Sequence, residues 1–84
     1  MQYVYTARFL RSLKKCEEAI QDDVIRAVKL FEKGESNNVL RLHKLHGKFK
    51  SYHAFSANFL YRVIVKIEKK VVYYADVGTH DIYS

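Results

Sequence analysis

The sequence contains no proline and no tryptophan, and among its 84 residues only three are glycine and one is cysteine. The single cysteine, Cys16, cannot form an internal disulfide, and no secretory leader pattern opens the chain, so we expect a cytoplasmic protein. No apolar run approaches the about 20 residues that a membrane-spanning helix needs, which excludes a transmembrane role. Because turn residues are so few, we expect each glycine to begin or end an element of secondary structure.

What the chain does contain is enough apolar material for one core. Hydrophobic residues make up 49% of the sequence and aromatic residues 14%. This composition lies outside the disordered class, which is poor in aromatic and β-branched residues. A chain of this length has room for only one core. We therefore predict a single domain over residues 1–84.

The net charge of +6 is concentrated in one segment of the chain. Residues 41–70 carry eight lysines and arginines against one acidic residue, for a local charge of +7. A concentrated positive field favours a polyanionic partner, RNA or DNA first and an acidic protein second. A charge that serves only solubility is the alternative.

The first half of the chain predicts a strand followed by two helices. The opening "QYVYTARF" alternates as a β-strand does. From Phe9 the apolar residues recur every three or four positions, which predicts an amphipathic helix whose stripe includes Leu10, Leu13, Cys16, Ala19 and Ile20. A second helix is predicted to be capped by Asp22 or Asp23 and to end at Gly34, with a buried stripe of Val24, Ala27, Val28 and Phe31.

The second half predicts a small antiparallel sheet. "SNN" at 36–38 indicates a loop, and "VLRLHKLHG" fits either helix or strand. Strands are predicted at about 48–56, 59–68 and 71–77, joined by short turns at Ala57-Asn58 and Lys69-Lys70. The predicted fold class is α+β: an N-terminal strand, a helical hairpin and a three-stranded antiparallel meander, packed as a two-layer α/β sandwich.

Alternation along these strands assigns side chains to the two faces of the sheet. The middle strand is predicted to turn Phe59, Tyr61, Val63, Val65 and Ile67 toward the helices. Arg62 then lies on the opposite face. If Phe49 points inward on the preceding strand, Lys48 and Lys50 also point outward. We therefore expect an open sheet face that is cationic and partly aromatic.

Two long segments resemble a known family. "LHKLHGKFKSYHAF" and "YRVIVKIEKKVVYYADVGTHDIY", following a strand and a helical hairpin, are similar to the RelE/ParE superfamily of toxins from type II toxin-antitoxin pairs. The motifs that carry this resemblance are Gly47-Lys48-x-Lys50, Tyr61-Arg62-Val63-Ile64 and Gly78-Thr79-His80-Asp81-x-Tyr83. It covers essentially the whole chain. The terminal "GTH" resembles the YafQ-like branch, and a histidine followed closely by a tyrosine resembles the YoeB-like branch.

The resemblance implies an endoribonuclease that cuts mRNA in the ribosomal A site and is held inactive by a cognate antitoxin. The superfamily also includes ParE-like toxins that poison DNA gyrase and lack the nuclease residues. A gyrase inhibitor, or an inert homologue that only binds its antitoxin, is therefore the alternative. His80 and Tyr83 favour the nuclease, because a gyrase binder needs no proton donor at this position.

The residues themselves supply a metal-independent route for RNA cleavage. The 2′-hydroxyl attacks the phosphate, a base removes its proton, an acid protonates the leaving 5′-oxygen, and cations stabilise the phosphorane. His80 is the predicted general acid, since it follows the last strand and matches the terminal histidine of the family. Arg62 offers a planar fork to phosphate oxygens, and Lys48 and Lys50 add positive field.

The other candidates depend more on the resemblance. His43 matches a histidine of YafQ-like members and is the candidate general base, with His46 as competitor and as a candidate phosphate contact. An ordinary loop histidine is the alternative for both. A second histidine and an acidic residue of that branch fall at Ser56 and Leu60, where this sequence departs, whereas Arg62 follows the RelE and YoeB pattern. Tyr83 is predicted to stack on a base or hold the phosphate, with packing on the sheet as the alternative.

Two further predictions concern His53 and the possibility of metal binding. His53 is assigned a structural role at the core side or strand edge. His43 and His46 have a His-x2-His spacing, but a zinc site normally needs three or four ligands and the cysteine lies on a distant helix. We predict neither a metal nor a cofactor.

Overall fold

The computed structural model describes residues 1–34, 40–79 and 81. The predicted loop at 36–38 and the candidates His80 and Tyr83 lie outside this set. The strands are β1 (Gln2–Tyr5), β2 (His43–Lys44), β3 (Tyr52–Ser56), β4 (Tyr61–Glu68) and β5 (Val71–Thr79). The helices are α1 (Ala7–Lys14), α2 (Glu18–Glu32) and a 3-10 helix at Gly47–Phe49. In this part of the chain no helix is both long and apolar enough to cross a membrane.

The strands form one five-stranded sheet in the order β1-β5-β4-β3-β2. β1 runs parallel to β5, and every other neighbouring pair is antiparallel. The predicted α+β class, helical hairpin and meander are confirmed. Two details differ: the sheet gains the two-residue β2 at one edge, and β1 joins at the other edge beside the last strand.

The boundary between the two helices is not where the periodicity placed it. α1 begins after Thr6, whose Oγ1 accepts a hydrogen bond from Phe9 N at 3.2 Å, and it ends at Lys14. α2 begins at Glu18, so the expected cap at Asp22 or Asp23 is wrong and both lie inside the helix. The short linker keeps the apolar stripe in phase, which is why spacing alone could not reveal the break.

The end of α2 follows the prediction. Gly34 has φ of +74°, a left-handed conformation that glycine adopts without a steric penalty, and its N–H donates to Phe31 O at 3.0 Å. Along the helix Val24, Ala27 and Val28 are buried as predicted, and Phe31 is half-buried against the Phe55 ring at 4.7 Å between centroids. The stripe on α1 is less complete, because Leu10 is 51% exposed.

One face of the sheet packs on the helices and holds the main core. Phe55, Val63, Val65 and Tyr74 are fully buried there beside Phe9 of α1. A β-bulge opposite Ile64 and Val65 adds one residue to β5. That extra residue lets both Tyr74 and Val77 face the helices, although strict alternation would place them on opposite faces.

A carboxylate closes this core at the end of α2. The hydroxyls of Tyr5 and Tyr74 both donate to Glu32 Oε2, at 2.6 and 2.7 Å, and their rings stack with centroids 4.8 Å apart. The hydrogen bond to Glu32, followed by burial, raises the pKa of Tyr5 to about 12. Burial, followed by its own hydrogen bond to Glu32, also raises the pKa of Tyr74. Both phenols therefore stay protonated and act as donors.

The opposite face is less open than predicted. Leu45, Ala54 and Ile64 are buried there in a second, smaller cluster, with Phe49 and Tyr52 packed against it. The predicted strand 48–56 begins only at Tyr52, because residues 47–49 form a 3-10 turn that folds over this face. Gly47 starts the turn with φ of +66°. The face therefore has a small apolar centre, and its polar residues lie around that centre.

Candidate functional site

The register of the strands places two candidate residues on the same sheet face. His43 on β2 pairs with Ala54, and Ala54 pairs with Ile64 on β4. Directly paired residues share a face, so His43 lies on the side away from the helices. Arg62, two residues before Ile64, lies on that side too. Strand spacing puts the Cα atoms of His43 and Arg62 about 12 Å apart, which two long side chains can bridge through a phosphate group.

His43 is exposed and has one ring nitrogen engaged. Its Nδ1 lies 2.9 Å from the carbonyl oxygen of Arg41. A carbonyl oxygen can only accept, so Nδ1 must carry the proton in this contact and Nε2 keeps its lone pair in the neutral ring. Arg41 presents this oxygen from a left-handed conformation with φ of +54°, which is uncommon for a residue with a side chain. His43 therefore offers Nε2 to solvent as a proton acceptor.

Arg62 is half-buried and held by its own turn. Its Nη1 donates to the carbonyl oxygens of Asn58, Phe59 and Tyr61 at 3.1, 3.2 and 3.3 Å. These bonds use Nη1 alone, and the other N–H donors of a guanidinium are on Nε and Nη2. The guanidinium of Arg62 is therefore held at the β3–β4 turn, at the end of the sheet face on which its backbone position lies.

Lys48 and Lys50 lie in a different element of secondary structure from the one expected. Both were predicted to alternate along a strand, which is wrong, because Lys48 lies within the 3-10 helix and Lys50 follows it. Both are exposed, and Lys48 Nζ lies 5.4 Å from the Phe49 ring centroid. Phe49 packs on the small cluster, which fixes the turn that carries both lysines. His46, the residue before the turn, is also exposed.

A cavity of about 620 Å³ lies between α2 and the β3–β4 turn, beside Arg62. Among the described residues that line it, Arg26, Arg41 and Arg62 are cations and Asp23 is the one acidic residue. The floor is apolar, formed by Ala27, Leu30, Leu40 and Ala57. Ser56, where YafQ-like members carry a second histidine, also lines it and can offer only a hydroxyl.

The β3–β4 turn is braced by one asparagine. Asn58 Oδ1 accepts from the backbone N–H groups of Leu60 and Tyr61 at 2.9 and 2.8 Å. Its Nδ2 donates to Asp23 Oδ2 on α2 at 2.9 Å. That bond, followed by the contact with Arg26, lowers the pKa of Asp23. The Asn58–Asp23 bond was not predicted from the sequence, although an asparagine at a predicted turn often makes such bonds.

The sheet face predicted for Phe59 is wrong. This residue was expected to pack on the helices, but β4 begins only at Tyr61 and Phe59 is 91% exposed at the tip of the turn. Leu60, at the position where YafQ-like members carry an acidic residue, is 61% exposed. Neither can act as an acid or a base. At Ser56 and Leu60, on either side of this turn, the chain therefore departs from the YafQ-like pattern.

The last strand of the sheet ends beside Arg62. β5 ends at Thr79, which pairs with Tyr61, the residue before Arg62. His53 is half-buried with its Nδ1 buried, and burial followed by Lys44 and His43 lowers its pKa. This placement fits the structural role predicted for His53. Among the described residues no three His, Cys, Asp or Glu side chains converge as metal ligands would.

Comparison with known proteins identifies the fold. No family model matches the chain, and no curated protein matches its sequence. YafQ from E. coli strain BL21(DE3) matches with a TM-score of 0.81 at 17% identity, over 94% of this chain and 92% of that chain. The E. coli DinJ-YafQ toxin-antitoxin complex contains a match with a TM-score of 0.77 at 18% identity, covering 94% and 91%.

A third match extends the similarity beyond YafQ. The YoeB/ParE toxin from Agrobacterium tumefaciens has a TM-score of 0.77 at 9% identity, over 95% of this chain and 99% of that chain. The chain therefore shares the α+β fold of these solved toxin structures. The fold that the sequence resemblance implies is thereby confirmed.

Proposed function

We propose that this protein is the toxin of a type II toxin-antitoxin pair and a ribosome-dependent mRNA endoribonuclease. The observation that carries the proposal is the bond from His43 Nδ1 to Arg41 O, which leaves Nε2 as a proton acceptor on the sheet face that holds Arg62. The fold shared with YafQ supports it. The substrate would be mRNA in the ribosomal A site, so the protein would act in the cytoplasm.

Each step of the reaction has a candidate residue. His43 Nε2 takes the proton of the 2′-hydroxyl, which attacks the adjacent phosphorus. Arg62, Lys48 and Lys50 stabilise the charge that develops on the phosphorane oxygens. His80 protonates the leaving 5′-oxygen, with Tyr83 holding the phosphate or a neighbouring base. The products carry a 2′,3′-cyclic phosphate, or a 3′-phosphate after hydrolysis, and no metal is required.

The proposed partner is a cognate antitoxin. One structural neighbour is described as part of a DinJ-YafQ toxin-antitoxin complex. On this chain the exposed cations Arg41, Lys48 and Lys50 would favour an acidic or amphipathic segment that covers the site and neutralises its field. Such a segment would block RNA without changing the fold.

The proposal is tested by inducing the wild type and single variants in a bacterial host and mapping mRNA 5′ ends. We expect growth arrest with new cuts in translated messages, and loss of both in His80→Ala and His43→Ala, because one positioned acid or base is worth about 10²- to 10⁴-fold in rate. His46→Ala should retain cutting, and Lys29→Ala, an exposed change on α2, is the matched control.

The opposite results would assign the chain elsewhere. Arrest with intact messages in the wild type would favour a gyrase-directed toxin. Cutting that survives His43→Ala but is lost in His46→Ala would transfer the role of base to His46. No arrest and no cutting would favour an inert antitoxin-binding homologue.

A further inference from the structure

The β3–β4 turn presents two large apolar side chains to solvent. Phe59 is 91% exposed and Leu60 is 61% exposed, in a chain whose other phenylalanines are all at least half-buried. The proposed cleavage chemistry assigns neither of them a role. An exposed aromatic side chain at the tip of an ordered turn is available to contact a partner.

The turn holds Phe59 in place rather than leaving it loose. Asn58 binds the N–H groups of Leu60 and Tyr61 and ties the turn to Asp23 of α2. Ala57 N donates to Tyr61 O at 2.9 Å, and Arg62 Nη1 donates to the carbonyl oxygen of Phe59 itself. Because the backbone is already ordered, the entropic cost of binding a ligand on this ring is reduced.

The surroundings of the turn are cationic. Phe59 lines the cavity of about 620 Å³ together with Arg26, Arg41 and Arg62. Asp23, the acidic residue among the described part of that lining, is bound by Arg26 at 3.1 Å and by Asn58. An aromatic ring beside several arginines suits a ligand that combines flat bases with anionic phosphates.

We propose that Phe59 is a stacking platform for a base of single-stranded RNA, and that Arg41 binds a neighbouring phosphate. This inference rests on the proposed function only for the choice of RNA as substrate. Arg41 joins the two sites, since its carbonyl oxygen holds His43 and its side chain lines the cavity beside Phe59. RNA stacked on Phe59 would therefore run along the surface that leads to the candidate base.

A protein segment is a less suitable ligand for this surface. Phe59 projects and is almost entirely exposed, so the ring itself forms no depression that an apolar peptide side chain could fill. A base has two flat faces and can stack on a projecting ring. Charge complementarity with the three arginines also favours a phosphodiester chain over a neutral peptide.

The test measures binding of a fluorescent single-stranded RNA decamer with 2′-O-methyl groups, which cannot be cleaved through the 2′-hydroxyl. We expect Phe59→Ala and Phe59→Leu to weaken binding by about 5- to 150-fold, as found for loss of one stacked base. Phe59→Tyr should bind like the wild type because it keeps the ring. Leu60→Ala, the matched exposed apolar control, should change the Kd by less than about twofold.

Several outcomes would overturn the inference. Phe59→Leu that binds RNA as well as the wild type would show that the ring is not stacked. Equal losses in Phe59→Ala and Leu60→Ala would indicate general apolar contact instead. Loss of binding to a purified antitoxin with unchanged RNA binding would make the turn a protein-docking surface. Folding is checked by the melting temperature, which we expect to be unchanged because Phe59 is 91% exposed.

The inference and the proposed function can fail separately. If the wild type leaves messages intact but needs Phe59 to bind the decamer, the nuclease proposal fails and the stacking platform is retained. If the wild type cuts messages and Phe59→Ala binds and cuts equally well, the platform is wrong and the nuclease proposal is retained.

Discussion

The two faces of the sheet differ in what they bury. The helix-covered face holds Phe55, Val63, Val65 and Tyr74 at zero exposure and closes on Glu32. Among the residues that the structure describes, the opposite face buries Leu45, Ala54 and Ile64. The first face therefore supplies most of the apolar burial that stabilises the fold. The second can carry histidines and cations at its margin, because few of its positions are needed for packing.

The difference between the two faces is tested most directly by truncating one large buried side chain on each face. Phe55→Ala should lower the free energy of unfolding by about 3 to 5 kcal/mol, since it removes a buried ring stacked on Phe31. Ile64→Ala should cost about 2 kcal/mol, near the lower end for such changes, because its cluster is small. Urea denaturation measures both. Equal losses would contradict the assignment of the main core to one face.

Glu32 accepts hydrogen bonds from an exposed and from a buried tyrosine, Tyr5 and Tyr74, and removing one hydroxyl at a time compares the two. Tyr74→Phe removes a buried donor to Glu32 and should cost about 1 to 3 kcal/mol, because the carboxylate loses a partner. Tyr5→Phe removes the other donor at a site that is 44% exposed, where water can replace it, and should cost less than about 1 kcal/mol. Thermal unfolding compares the two. The reverse order would show that Tyr5 is the main partner.

Charge on the opposite face can be removed without touching the core. Lys48→Ala combined with Lys50→Ala should leave the melting temperature unchanged, because both side chains are exposed. If each lysine contacts one phosphate, the slope of log K against log salt for single-stranded RNA should fall by about 1.4. Lys14→Ala with Lys29→Ala, two exposed lysines on the helices, is the control. The same fall in that control would indicate a uniform positive field.

The smallest expected effect is on the dependence of stability on pH. Burial, with Lys44 and His43, lowers the pKa of His53 below its usual value of about 6.5. The unfolded chain therefore binds more protons than the folded chain once the pH falls below about 6.5, and stability should decrease there. His53→Gln should flatten this dependence in urea titrations between about pH 5 and 7. An unchanged slope would show that His53 does not titrate differently on folding.

The sequence predicted best where one local pattern decided the outcome. Val63 and Val65 alternate as a half-buried strand does, and Gly34 ends a helix, so both were placed correctly. The break between α1 and α2 was missed because the linker keeps the apolar stripe in phase. Lys48 and Lys50 were put on a strand because alternation cannot distinguish it from a 3-10 turn anchored by Phe49.

For the candidate site, the sequence indicated the residues, and the tertiary structure adds the contacts that each described residue makes. The choice of His43 and Arg62 followed from a motif resemblance, but the free Nε2 of His43 follows from the carbonyl oxygen of Arg41. The exposure of Phe59 was unpredictable from alternation, because it depends on Asn58 reaching Asp23 of α2, 35 residues away. Local periodicity carries no information about such long-range bonds.

The sequence by itself determined the class of fold, the excess of positive charge in residues 41–70 and the set of candidate side chains. The fold class and the charge depend on composition and short-range periodicity, which a linear chain displays directly, and the candidate side chains depend mainly on short motifs that resemble a family. Only the tertiary structure decided which cations surround the cavity beside Arg62 and which aromatic ring projects from the sheet. The physical reason is that strand register and turn bracing depend on contacts between residues far apart in sequence, and these contacts exist only once the helices have packed on the sheet.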